Sequence, residues 1–129
     1  MPVLGVGMDV VDVVRFRRTL DRLGDPFVRR IFTEAEASYA DRSPRRRAER
    51  LGARFAAKEA FGKAMGLGMT RSTRWREIEV EHDPRGRPVL CLHGATGAAA
   101  AERGVTQMHL SLSHDGDVAA AVVVLEAIP

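Results

Sequence analysis

Two carboxylates and two lysines are the residues whose types and spacing first suggest chemistry. Asp9 ends the run Gly5-Val-Gly-Met-Asp9, and Glu59 precedes Lys63 by four positions. Magnesium takes one or two protein carboxylates and fills its octahedron with waters and substrate phosphates. A lysine beside such a site serves as a point charge on a phosphate oxygen. On a helical wheel Gly52, Ala56, Glu59 and Lys63 share one side, so small residues surround the charges and leave room for a ligand. Plainer roles exist for each residue. Asp9 fits a helix cap. Glu59 and Lys63 fit an ordinary i, i+4 ion pair worth about 0.2–0.5 kcal/mol.

Lysine usage sharpens the chemical reading. Of 20 basic residues, 18 are arginine, and the only lysines are Lys58 and Lys63. Arginine is a planar fork and lysine a compact charge, so the two are not interchangeable at a tight site. Ser111-Leu-Ser-His-Asp115 also concentrates reactive types. It is not a hydrolase triad, because the residues are sequential and no Gly-x-Ser-x-Gly elbow is present. Nor is it a zinc site, since His109 and His114 lack partners at ligand spacing. His114 at a strand end suits binding a phosphate or moving a proton. Asp115 offers a third carboxylate that could join a metal's shell.

The elements that must position these residues follow from periodicity and punctuation. Val3 to Met8 reads as a buried strand with Asp9 at its end. An amphipathic helix follows, with Asp12 as N-cap, Gly24 as stop and Val13, Phe16, Leu20 and Leu23 as the inward stripe. Arg15, Arg18 and Arg22 fall on the opposite face, as a solvated row or as a docking strip for an acidic partner. Thr33 and Glu36 have capping-box spacing. Ser43-Pro44 starts a long helix that runs to about Met65, with Gly66 and Gly68 available to stop it. Residues 69–74 look like a loop. Trp75 to Glu81, then Val89 to Leu92 after the Asp83–Pro88 turn, read as paired strands. Ala95 to Arg103 reads as a helix. His109 to Ser113 and Val118 to Leu125 read as a hairpin across His114-Asp-Gly-Asp117. Strand, helices, then a mostly antiparallel sheet packed against a long helix favour an α+β fold over a doubly wound one.

The bulk composition bounds the partners. A chain of 129 residues suits one domain, 1–129. One cysteine excludes an internal disulfide. No apolar run is long enough for a signal peptide or a membrane helix, so the expected setting is cytoplasmic, with no membrane partner. Residues 1–64 carry 14 basic and 9 acidic side chains, against 6 and 8 in residues 65–129. The basic half would attract an acidic protein, a polyphosphate or a nucleic acid. Aromatics are only 5%, and no nucleic-acid-binding signature is present, so no nucleic-acid partner is expected.

Taken together, the segments resemble the holo-acyl-carrier-protein synthase family of 4′-phosphopantetheinyl transferases. Gly5-Val-Gly-Met-Asp9-Val-Val-Asp-Val-Val-Arg15-Phe is similar to its first motif. Arg54-Phe-Ala-Ala-Lys58-Glu59-Ala-Phe-Gly-Lys63-Ala is similar to its signature helix. Trp75-Arg-Glu-Ile-Glu-Val with Gly86-Arg-Pro88 resembles its central hairpin, and Leu110-Ser-Leu-Ser113-His114 with Ala119-Ala-Ala-Val its last one. The resemblance implies transfer of the phosphopantetheine arm of coenzyme A to a serine of apo acyl carrier protein, with release of adenosine 3′,5′-bisphosphate. It implies Mg²⁺ on Asp9 and Glu59, and coenzyme A contacts from Arg54, Lys58, Lys63, Pro88, Ser113 and His114. Glu59, Lys63, His114 and Asp115 are the expected catalytic group, with the serine proton passing to Glu59 or to a water on the metal. The resemblance further implies carrier docking on Arg15, Arg18 and Arg22, and a homotrimer with active sites between subunits.

Overall fold

A computed structural model describes residues 2–67 and 74–128. Strand β1 (Val3–Asp12) leads into helix α1 (Val13–Ile31), then α2 (Glu34–Asp41) and the long α3 (Arg47–Met65). The hairpin β2 (Ile78–His82) and β3 (Pro88–Leu92) follows. Helix α4 (Gly94–Glu102) and the hairpin β4 (Gln107–Asp115) and β5 (Val118–Glu126) complete the chain. β1, β5 and β4 form one antiparallel sheet in the order β1-β5-β4, and β2 pairs with β3 in a second. The expected α+β arrangement holds.

α3 lies across the three-stranded sheet, and small residues make that contact close. Gly5 and Gly7 of β1 present no side chain to the helix. A Cβ on either would sit 1.9 Å from a helix carbonyl, Ala64 O for Gly5 and Ala60 O for Gly7. β5 adds Ala119, Ala121, Val123 and Leu125, all buried, to the same face. Phe16 of α1 packs edge-on to Phe27 and Phe32 and tilted on Phe55, which stacks on Trp75 at 5.0 Å. That aromatic row closes the core beneath α1.

Several local expectations need correction. β1 does not end at Asp9 but continues to Asp12, because its pairing with β5 runs unbroken from Gly5 to Asp12. Asp12 caps α1 as read, accepting from Arg15 N at 3.0 Å, so the plainer role of Asp9 as a helix cap is not the one that forms. Gly24 (φ 67°, ψ −157°) breaks the helical backbone of α1 where the stop was expected, and a second helical segment follows directly to Ile31. Leu23 is therefore exposed rather than part of the inward stripe. The Thr33–Glu36 capping box forms as read. Ser43-Pro44 starts a short 3₁₀ turn, and α3 begins three residues later. Gly66, in the left-handed conformation at φ 80°, caps α3, while Gly68 and all but the last residue of the expected 69–74 loop lie outside the described residues. Trp75 to Glu77 also form a 3₁₀ turn, so β2 starts only at Ile78. The last turn narrows to Gly116-Asp117, which leaves His114 and Asp115 inside β4.

Candidate active site

The close seat of β1 on α3 carries the first part of the site. Two residues beyond Gly7 on the same strand face, Asp9 meets the helix side that bears Glu59 and Lys63. Lys63 Nζ donates to Met8 O at 2.9 Å and to Asp9 Oδ1 at 3.1 Å. The ordinary i, i+4 alternative for Lys63 and Glu59 is thus not what forms, because the strand carboxylate is nearer. Glu59 is only partly exposed, and its pKa is raised. Burial is the larger cause, and the Asp9 carboxylate adds to it, with Lys63 opposing. Two carboxylates and one lysine, partly shielded from water, gain from an added cation. The donor set fits magnesium, which needs only one or two carboxylates. Among the described residues no group of three or more His, Cys, Asp or Glu could hold a metal, so the pair is not part of a larger cage.

A second part of the site lies further along the same helix. Arg50 and Arg54 of α3, Pro88 of β3, and Ser113 and His114 of β4 line a cavity of about 220 Å³. From Glu59 back to Arg50 the helix rises roughly 13 Å at 1.5 Å per residue. Arg54 is 3% exposed, and burial pulls its pKa down. His114 Nδ1 stands 3.6 Å from Glu49 Oε2, and Glu49 is in turn held by Arg46 at 3.1 Å. The structure thus gathers Arg54, Pro88, Ser113 and His114 as expected. It also adds Arg50 and Glu49, whose i, i+4 and i, i+5 spacing to Arg54 on one helix was the available signal.

Two expected members lie elsewhere. Lys58 is fully buried, and its three donors go to Glu36 Oε1, Trp75 O and Ile78 O. It ties α3 to α2 and β2 and has no proton left for a ligand. Asp115 sits at the hairpin end, three register pairs from Leu112, which aligns with Ala121 and through it with Asp9. That is roughly 10 Å along the strands, plus two strand spacings across. Within one chain Asp115 therefore cannot share a metal with Asp9. Arg15, Arg18 and Arg22 are all exposed on α1.

The 4′-phosphopantetheinyl transferase superfamily model matches residues 5–123. The chain belongs to this superfamily. It is therefore a transferase, and both parts of the site fall inside the matched span. A holo-[acyl-carrier-protein] synthase of Salinispora arenicola is 50% identical over 127 residues, covering 96% of this chain and 98% of the relative. The crystal structure of holo-[acyl-carrier-protein] synthase from Neisseria meningitidis superposes with a TM-score of 0.89 at 34% identity, covering 97% of this chain and 99% of that one. The enzyme from Bacillus anthracis, solved in complex with coenzyme A (3′,5′-ADP), gives 0.80 at 35% identity, with 98% of each chain covered.

Proposed function

We propose that residues 1–129, acting as one domain, transfer the 4′-phosphopantetheine arm of coenzyme A to a serine of apo acyl carrier protein. The observation that carries this is the Asp9–Glu59–Lys63 cluster on the seam between β1 and α3, in line with an arginine-walled cavity. Coenzyme A carries anionic groups at two places, its diphosphate and its ribose phosphate, and the helix offers two sites for them. Asp9 and Glu59 would hold Mg²⁺, which would neutralise diphosphate charge as the transfer proceeds. Lys63 exchanges its contact with Asp9 for a phosphate oxygen and stabilises the leaving bisphosphate. The raised pKa of Glu59 suits it to accept the serine proton. The serine oxygen bonds to the phosphorus bearing pantetheine, and the bond from that phosphorus to the bridging oxygen breaks, releasing adenosine 3′,5′-bisphosphate. Arg54, Ser113, His114 and Pro88 bound the nucleotide end, and the exposed Arg15, Arg18 and Arg22 receive the acidic carrier.

The active form is a homotrimer with sites between subunits. Support comes from the outer face of the three-stranded sheet, where Val6, Met8 and Val10 of β1 stand 59%, 59% and 53% exposed beside Val122 and Val124 of β5. Such a patch on a sheet face calls for a covering partner. No described helix is long and apolar enough to cross a membrane, and the cytoplasm is the proposed setting. Mass spectrometry of an apo carrier protein incubated with this protein, coenzyme A and Mg²⁺ tests the activity. A gain of one phosphopantetheine arm, lost with EDTA and lost in Glu59→Gln, is expected. Wild-type-like transfer by Glu59→Gln at saturating magnesium would overturn the assignment of the metal pair.

A further inference from the structure

The arginine wall of the cavity is built around one aromatic ring. The guanidinium carbons of Arg50 and Arg54 each lie 4.5 Å from the Tyr39 ring centroid, and that of Arg42 lies at 5.6 Å. The His82 ring stacks at 4.6 Å, tilted by 41°. Arg54 Nη1 donates to Arg50 O at 3.2 Å, and Nη2 meets His82 Nε2 at 3.3 Å. Arg50 Nη1 donates to Tyr39 O at 3.0 Å. The Nε atoms of both arginines are buried without a partner among the described residues. Among the described residues no carboxylate lies within 4.0 Å of either guanidinium.

Two like charges one helical turn apart repel, and burial removes the water that would screen them. Here the opposing term is the negative face of an aromatic ring, which attracts guanidinium groups most strongly when they are desolvated. Tyr39, Arg54 and His82 also separate this cavity from a second one of about 480 Å³ between α2 and β2. Both arginines line the cavity with their guanidinium groups held against the Tyr39 ring. For His82 Nε2 to accept from Arg54 its ring must be neutral, and burial together with Arg54 and Arg50 lowers its pKa.

We propose that Tyr39, seconded by His82, is a positioning residue whose ring sets Arg50 and Arg54 side by side to receive an anionic group of coenzyme A. The inference rests on the proposed transferase function. It makes Tyr39 a determinant of coenzyme A affinity although it belongs to none of the recognisable motifs.

Steady-state transfer with varied coenzyme A, at saturating carrier and magnesium, tests it on Tyr39→Phe, Tyr39→Leu and His82→Ala. Tyr39→Phe keeps the ring and should hold KM for coenzyme A within about twofold of wild type. Tyr39→Leu loses the ring contacts of Arg50 and Arg54 and should raise that KM roughly tenfold, with kcat and the KM for carrier within about twofold. His82→Ala should raise KM for coenzyme A roughly threefold. Thermal melting checks that each variant is folded. If Tyr39→Leu keeps the wild-type KM, or Tyr39→Phe fails as badly as Tyr39→Leu, the positioning role is wrong while the function stands. An inactive wild type would remove both.

Discussion

Gly7→Ala is the change that tests most directly how the fold sets the metal pair. Gly7 has no positive φ, so its conformation alone would tolerate alanine. In open space such a change stabilises a protein by about 0.4–1 kcal/mol through the unfolded chain. Here the added methyl would stand 1.9 Å from Ala60 O and 2.7 Å from Ala64 N, both backbone atoms of α3. Reaching even 3.4 Å from Ala60 O requires about 1.5 Å of separation between strand and helix. Overpacking of this kind costs about 1–3 kcal/mol, or more where backbone must move, so the clash outweighs the entropic gain. At roughly 3–5 °C per kcal/mol for a chain of this size, a fall in Tm on the order of 10 °C is expected. Asp9, two residues along the strand, would retreat from Glu59, and a misplacement of about 1 Å can cost on the order of a hundredfold in rate. The assay is differential scanning calorimetry beside transfer rates across a magnesium titration. Gly5→Ala is the comparison, since its methyl would stand equally close to Ala64 O but farther from Asp9. Gly7→Ala should need more magnesium for half-maximal rate than Gly5→Ala at a similar Tm. A Gly7→Ala protein with wild-type Tm and wild-type magnesium response would refute the close-seat explanation.

Other outcomes follow from the same geometry. Lys58→Met leaves Glu36 buried and unpaired, so it should lose about 3–5 kcal/mol of stability, read by urea unfolding. Its KM for coenzyme A, measured on the folded fraction, should stay unchanged, and a selective rise would return Lys58 to the binding site. Burial alone would raise the pKa of Glu79, but hydrogen bonds from Thr33 and His93 outweigh it and hold the carboxyl low. A depressed carboxyl stabilises above its unfolded pKa and loses that contribution as pH falls through its folded value. Tm should therefore drop below about pH 4.3 in wild type and drop less in Glu79→Gln. Arg18→Glu on the exposed α1 face should raise KM for the carrier several-fold and flatten its salt dependence, with KM for coenzyme A unchanged.

Much of the site was legible because the signals are local. The capping box at Thr33 and Glu36 depends on residues three apart, and it formed as read. Glu59 and Lys63 on one face of α3 follow from the helical period, as does the exposed row Arg15, Arg18 and Arg22 on α1. The small side of α3 at Gly52 and Ala56, read as room for a ligand, is instead buried in packing, Gly52 against Val11 and Phe16. Long-range packing settled the rest. Asp9 read as the end of a strand, yet β5 holds the strand regular for three residues more, so Asp9 sits within the paired strand and faces α3. Lys58 and Lys63 share one helix and one residue type but meet opposite fates. Glu36 and two backbone carbonyls converge on one of them from distant segments, while β1 brings Met8 O and Asp9 to the other. Tyr39, Arg54 and His82 come from α2, α3 and the end of β2 and meet only in three dimensions. The sequence by itself determined which residues can carry charge and on which helical face they lie. Tertiary structure decided which charges are buried as struts and which remain open to a ligand, because burial and partner choice depend on segments that periodicity cannot bring together.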